Sequence, residues 1–108
     1  MTLEALKDIL EAIPDLRGKI VYRQFKEGSA PALPFVCFYV DNTDNFKADN
    51  TVYLPRKNVI IELYTAIKSP ATEQLIETAL DNAGIPWDYT ESYIDSESCY
   101  LIAYNVEV

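Results

Sequence analysis

The stretch Pro34-Phe35-Val36-Cys37-Phe38-Tyr39-Val40 carries no charge and holds two interleaved apolar sets. Phe35, Cys37 and Tyr39 form one set, and Val36, Phe38 and Val40 form the other. Successive side chains of a strand point to opposite faces, so a strand with one wet face alternates polar and apolar residues. This stretch does not alternate. It reads as a central strand with both faces covered, built from the aromatic and β-branched residues that suit a pleated surface.

Toward the N-terminus, Glu27-Gly28-Ser29-Ala30-Pro31 is loop by composition, and Lys19 to Arg23 reads as a short strand. Before it, Leu3, Leu6, Ile9, Leu10 and Ile13 recur at helical spacing. Thr2 is the expected cap, Glu4 suits the positive end of the helix dipole, and Pro14 stops the pattern.

Toward the C-terminus, Asp41 to Asn50 is rich in Asp and Asn, with Phe46 its only large apolar residue, and reads as a polar loop. Thr51-Val52-Tyr53-Leu54 and Asn58 to Thr65 read as one long strand, bent at Pro55, which cannot donate to a ladder. Ser69, Pro70 and Glu73 then mark a helix start, with Leu75, Ile76, Ala79, Leu80 and Ala83 as its buried stripe. Gly84 suits the left-handed residue of a Schellman cap, with Ile85 folding back on Leu80. Trp87 to Ile94 and Cys99 to Val108 read as two strands joined by a turn at Asp95-Ser96-Glu97-Ser98. The expected order is α-β-β-β-α-β-β. This is an α+β fold with a mainly antiparallel sheet of four to five strands and two helices, residues 1–108 making one domain.

A chain of 108 residues with 49% apolar and 24% charged residues is an ordinary globular composition. It can bury roughly 65% of its extended surface without a metal or disulfide. No apolar run approaches the ~20 residues of a membrane-spanning helix, and the acidic N-terminal helix does not resemble a secretion signal. Cys37 and Cys99 lie in apolar strands outside any metal-ligand spacing and are expected to be free, buried thiols of an intracellular protein. Nine basic against seventeen acidic residues leave a net charge of -8, which disfavours specific nucleic-acid binding through phosphates.

Catalytic chemistry finds little support. There is no histidine and no glycine-rich phosphate loop. The Asp41-Asn42-Thr43-Asp44-Asn45 segment has Phe46 and Val52 where a calcium loop needs glycine and a bidentate glutamate. Acidic pairs such as Asp41 with Asp44, or Asp95 with Glu97, are ordinary solvated loop charges. The chain is expected to be no enzyme and to hold no cofactor or metal.

The excess lies in the eight tyrosines, nearly all in expected strands. Ordinary β-propensity accounts for such residues in a sheet, yet tyrosine also suits subunit contacts. Two helices are too few to cover a sheet apolar on both sides, and a partner surface would make up the shortfall. Tyr53, Tyr64, Tyr100 and Tyr104 are therefore candidate interface residues. Phe46 and Lys47 join them, an aromatic anchor and a charge in a segment expected to dock on a neighbour.

The acidic N-terminal helix, the Pro34-Phe35-Val36-Cys37-Phe38-Tyr39 strand and the run Ala48-Asp49-Asn50-Thr51-Val52-Tyr53 form a recognisable set. With Asn58-Val59-Ile60-Ile61-Glu62-Leu63-Tyr64, the helix closed by Gly84 and the C-terminal hairpin, the chain resembles the tail-completion proteins of long-tailed bacteriophages. That group comprises tail terminators and tail-to-head joining proteins. The likeness spans nearly the whole chain, although this one is short for a tail terminator and its 41–50 segment is compact. The resemblance implies a phage or prophage virion protein assembled in the bacterial host cytoplasm. It further implies a homo-oligomeric, typically hexameric, ring between tail-tube and head-connector proteins, with no catalysis and no cofactor. A small ligand-binding or regulatory α+β domain without catalysis is the alternative left open by the residues themselves.

Overall fold

The computed structural model describes residues 1–43, 46–48, 51–54 and 56–108, and for 46–48 and 51–54 it describes the backbone alone. Helix α1 (Leu3–Glu11) is followed by a 3-10 turn (Pro14–Leu16) and strands β1 (Ile20–Tyr22) and β2 (Phe35–Thr43). Strands β3 (Phe46–Ala48), β4 (Thr51–Leu54) and β5 (Lys57–Thr65) precede helix α2 (Pro70–Asn82). Strands β6 (Trp87–Ile94) and β7 (Cys99–Glu107) complete the chain. The main sheet has five strands in the order β1-β2-β5-β7-β6, parallel at β1–β2 and antiparallel elsewhere. Two helices and a mainly antiparallel sheet are the α+β fold expected.

The segment 41–50 departs from expectation. Asp41–Thr43 continues β2, and Phe46–Ala48 pairs antiparallel with Thr51–Leu54 in a separate two-stranded sheet. The described residues of the polar loop are thus strand, and the bent strand expected across Pro55 is two strands in different sheets. Register explains part of this: β2 and β5 slip between Val40 and Asn42, then keep pairing to Thr43 with Lys57. An irregular ladder carries polar residues that a sequence pattern assigns to a loop. Asp44, Asn45, Asp49, Asn50 and Pro55 lie outside the described residues.

Both helices cover one face of the sheet. Leu6 and Leu10 of α1 and Ile76 and Leu80 of α2 are fully buried against Val36, Val59, Ile61, Leu63, Ile102 and Tyr104. These strand residues share one pleat direction, because Val36 pairs with Leu63 and Leu63 with Ile102. Leu75 leaves the stripe proposed for α2. It is 37% exposed in a shallow groove beside Ile9 of α1 and Ile13, which leads into the 3-10 turn, while Glu73 takes a buried place instead. Glu73 is accommodated there because Lys68 Nζ lies 2.7 Å from its carboxylate and also pairs with Glu91.

The helix ends follow the local chemistry. Ala5 N donates to Thr2 Oγ1 at 3.0 Å, and Thr72 N donates to Ser69 Oγ at 3.3 Å. Past α2, Ile85 N donates to Leu80 O at 2.9 Å and Gly84 N to Asp81 O at 3.0 Å, the bond pair of a Schellman cap. Gly84 has φ +71°, and a Cβ there would meet nothing within 4 Å. The cost of a side chain is therefore conformational. Gly84→Val is expected to lower stability by at least about 1 kcal/mol, since a β-branched residue resists positive φ. A thermal melt checks this, and an unchanged melting temperature would show that the turn relaxes to another conformation.

Candidate functional site

The other face of the sheet is the candidate site. By the same register, Val21, Phe35, Cys37, Tyr39, Ile60, Glu62, Tyr64, Leu101 and Ala103 point away from the helices. Among the described residues no helix packs on them, and except for Cys37 they are partly exposed. The expectation that both faces of the 34–40 strand are covered is therefore corrected. β2 is internal in the sheet, but its helices lie on one side only, because the register gathers the fully buried side chains there.

At the centre of this face sits Glu62, between Cys37 of β2 and Ala103 of β7. Tyr64 Oη donates to its carboxylate at 3.0 Å and Tyr39 Oη at 3.4 Å. Burial, then the negative charge of Glu62, pushes both phenols up, so they remain donors at neutral pH. The Arg23 guanidinium lies 5.5 Å from the centre of the Tyr39 ring. Phe25 from the β1–β2 connection meets Phe35 edge-on at 5.3 Å, and Phe35 lies 5.1 Å from Tyr64. Between these rings and Ile94 opens a cleft of about 670 Å³, lined by Cys37 and Glu62 as well.

Cys37 and Cys99 are free and buried. Strand β5 separates their strands, which places β2 and β7 about 10 Å apart. The position of β7 level with Cys37 is Ala103, not Cys99, so the pair is beyond the ~7 Å that a disulfide spans. Burial, then Glu62, pushes the Cys37 thiol up to about 11. A protonated thiol is a poor nucleophile, and the carboxylate beside it suppresses ionisation further. Replacing both cysteines with alanine should cost about 1–3 kcal/mol through lost packing, without loss of folding. The raised thiol also gives a sign: its contribution is intact below about pH 9, the unfolded value, and is lost as pH rises through about 11. Denaturant melts across that range check the difference between parent and double mutant. A disulfide in freshly alkylated protein would refute the free-thiol assignment.

Of the interface residues proposed from sequence, the three whose side chains are described, Tyr64, Tyr100 and Tyr104, are not brought together. Tyr64 lies on the bare face beside Glu62. Tyr100 lies on the helix-side face, partly exposed, with Tyr93 edge-on at 5.0 Å. Tyr104 is 0% exposed under α2, where its hydroxyl donates to Glu77 at 2.8 Å, so its surroundings are those of a core residue. Phe46 and Lys47 fall on β3 and Tyr53 on β4, and their side chains lie outside the described residues. Sequence reasoning missed Glu62, Tyr39 and Leu101. The available signal was Glu62, the one charged residue from Asn58 to Thr65.

The arrangement is an apolar sheet face with a hydrogen-bonded carboxylate at its middle. Among the described residues no cluster of three or more His, Cys, Asp or Glu could hold a metal ion, and no helix is long and apolar enough to cross a membrane. No protein-family model matches the chain, and no curated protein matches it. Among solved structures, the fold is similar to a chain of the virion of a native gene transfer agent (GTA) particle. The two superimpose with a TM-score of 0.68 at 15% identity, over 98% of this chain and 93% of that one. At that identity the likeness is one of fold.

Proposed function

We propose that the chain is a structural protein of a phage-like particle, a phage or prophage tail-completion protein. In this reading copies form a ring, typically of six, that closes the tail tube and joins it to the head. The bare sheet face, with Tyr64, Tyr39 and Leu101, is the surface on which a tail-tube or head-connector protein sits. Phe46, Lys47 and Tyr53 on the β3–β4 hairpin, with Tyr100, are further docking residues. The observation that carries the reading is an apolar face that no helix covers among the described residues, on a fold shared almost end to end with a virion chain. The reading gives the protein no catalytic step and no cofactor, and places it in the virion after assembly in the host cytoplasm.

The test is genetic. Deleting the gene from a particle-producing host should leave filled heads and separate tails, scored by electron microscopy, and tagged protein should restore joining and mark the junction. Complete, joined particles without the gene would overturn the proposal.

A further inference from the structure

The two edges of the five-stranded sheet are β1 and β6, and each pairs with a neighbour on one side only. They differ sharply in charge. From Arg17 to Lys26, around β1, stand Arg17, Lys19, Arg23 and Lys26 with no acidic residue. From Asp88 to Glu97, along β6 and its turn, stand Asp88, Glu91, Asp95 and Glu97 with no basic residue. The β6 edge is long and regular: eight residues, six of them exposed, with an unbroken register against β7 and neither lysine nor proline. Such an edge is a template for another strand unless its charges forbid one.

We propose that copies of the chain join head to tail through these edges, the β1 edge of one against the β6 edge of the next. The inference rests on the ring reading above and names the contact that would make the ring. Pairing β6 with β6 would set acid against acid, and β1 with β1 would set base against base. Only the mixed pairing brings opposite charges together, and a contact between two different surfaces excludes a two-fold dimer and builds a ring wherever the rotation between neighbours closes. Strand directions agree. β1 runs with β2, against β5, with β7 and against β6, so a copy turned about a ring axis presents β1 antiparallel to β6. Tyr22 is 43% exposed, and Tyr89 and Tyr93 are 46% and 50% exposed. All three lie on the helix side of their edges, so the joint would close over tyrosine, with Arg23, held over Tyr39 on the other side, facing Asp88. Six chains of net charge -8 gather about -48 in one ring, and locally opposed edges offset that repulsion where the subunits touch.

The experiment uses charge-reversed chains. Glu91 is held by Lys68, so Asp88 and Asp95 are the residues to change on the acidic edge. The parent should show, by native mass spectrometry and sedimentation at high concentration, a mass near six times 12.3 kDa that falls with added salt. Lys19→Glu with Arg23→Glu should weaken assembly at least about tenfold, as should Asp88→Lys with Asp95→Lys. Mixing the two variants one to one should restore it, because acidic-edged and basic-edged chains then alternate. Restoration also shows that both variants fold. Should a reversed chain lose its cooperative melt, the neutral changes Lys19→Gln with Arg23→Gln and Asp88→Asn with Asp95→Asn replace it, with weakening expected from each. A parent that stays monomeric, or an oligomer indifferent to these changes, overturns the edge contact. An indifferent oligomer leaves the ring reading standing, whereas joined particles without the gene remove that reading whatever the edges do.

Discussion

Tyr104→Ala is expected to destabilise the protein by about 3–5 kcal/mol, the usual cost of deleting a large, fully buried aromatic side chain. Its ring fills the space between β7, β6 and α2, with Trp87 edge-on at 5.6 Å and Tyr89 stacked at 5.8 Å. Its hydroxyl donates to the Glu77 carboxylate at 2.8 Å and reaches the Glu73 carbonyl at 3.3 Å, which fastens α2 to the sheet. Tyr104→Phe keeps the volume and removes those bonds, so about 1–3 kcal/mol of the loss should remain. The hydroxyl also sets a pH dependence. Burial, then the bond to Glu77, pushes it above the ordinary tyrosine value. Its contribution is therefore complete below about pH 10 and is lost as pH rises beyond that, a decline that Tyr104→Phe should lessen. Denaturant titration checks both variants. A loss for Tyr104→Ala under about 1 kcal/mol would mean that the site collapses around the gap.

Leu101→Glu, three residues earlier on the same strand, should do the opposite. Leu101 points to the bare face, opposite Tyr64 and Ser92, and is partly exposed already. A carboxylate there keeps its hydration in the free chain, so the melt should move by no more than about 1 kcal/mol. In a complex it becomes a buried, unpaired charge beside the Glu62 cluster. The expected result is a loss of joined particles of at least about 30-fold, the equivalent of ~2 kcal/mol at a central contact. Particle counts and a melt on the same preparation separate the two effects. Normal particle yield would remove this face from the contact surface, and an unfolded chain would place Leu101 in the core.

The contrast between Tyr104 and Leu101 shows how far the sequence reached. Both are apolar strand residues of β7, and both alternating sets of that strand are largely apolar. Composition singled out tyrosine, and so placed Tyr104 among the interface candidates and passed over Leu101. Helix caps and stops were legible, because Thr2, Ser69 and Gly84 act through bonds to residues a few positions away, and Pro70 through its own fixed φ. The 41–50 segment was not, because its strands depend on a pairing across residues whose composition suits a loop. The opposed charges of the two sheet edges stood in the sequence as well, but they acquire meaning only once β1 and β6 are known to be the edges.

By itself the sequence determined the element order, the two capped helices, the free thiols and a surplus of apolar strand surface over helices to cover it. Each of these follows from local periodicity, from turn chemistry or from composition. Tertiary structure alone decided which face the helices took, and hence that Tyr104 is enclosed while Tyr39, Glu62, Tyr64 and Leu101 form the open face. The reason is geometric. Alternation assigns a strand's side chains to two faces, but with both sets apolar only the register against distant strands and the seating of α1 and α2 distinguish inside from outside.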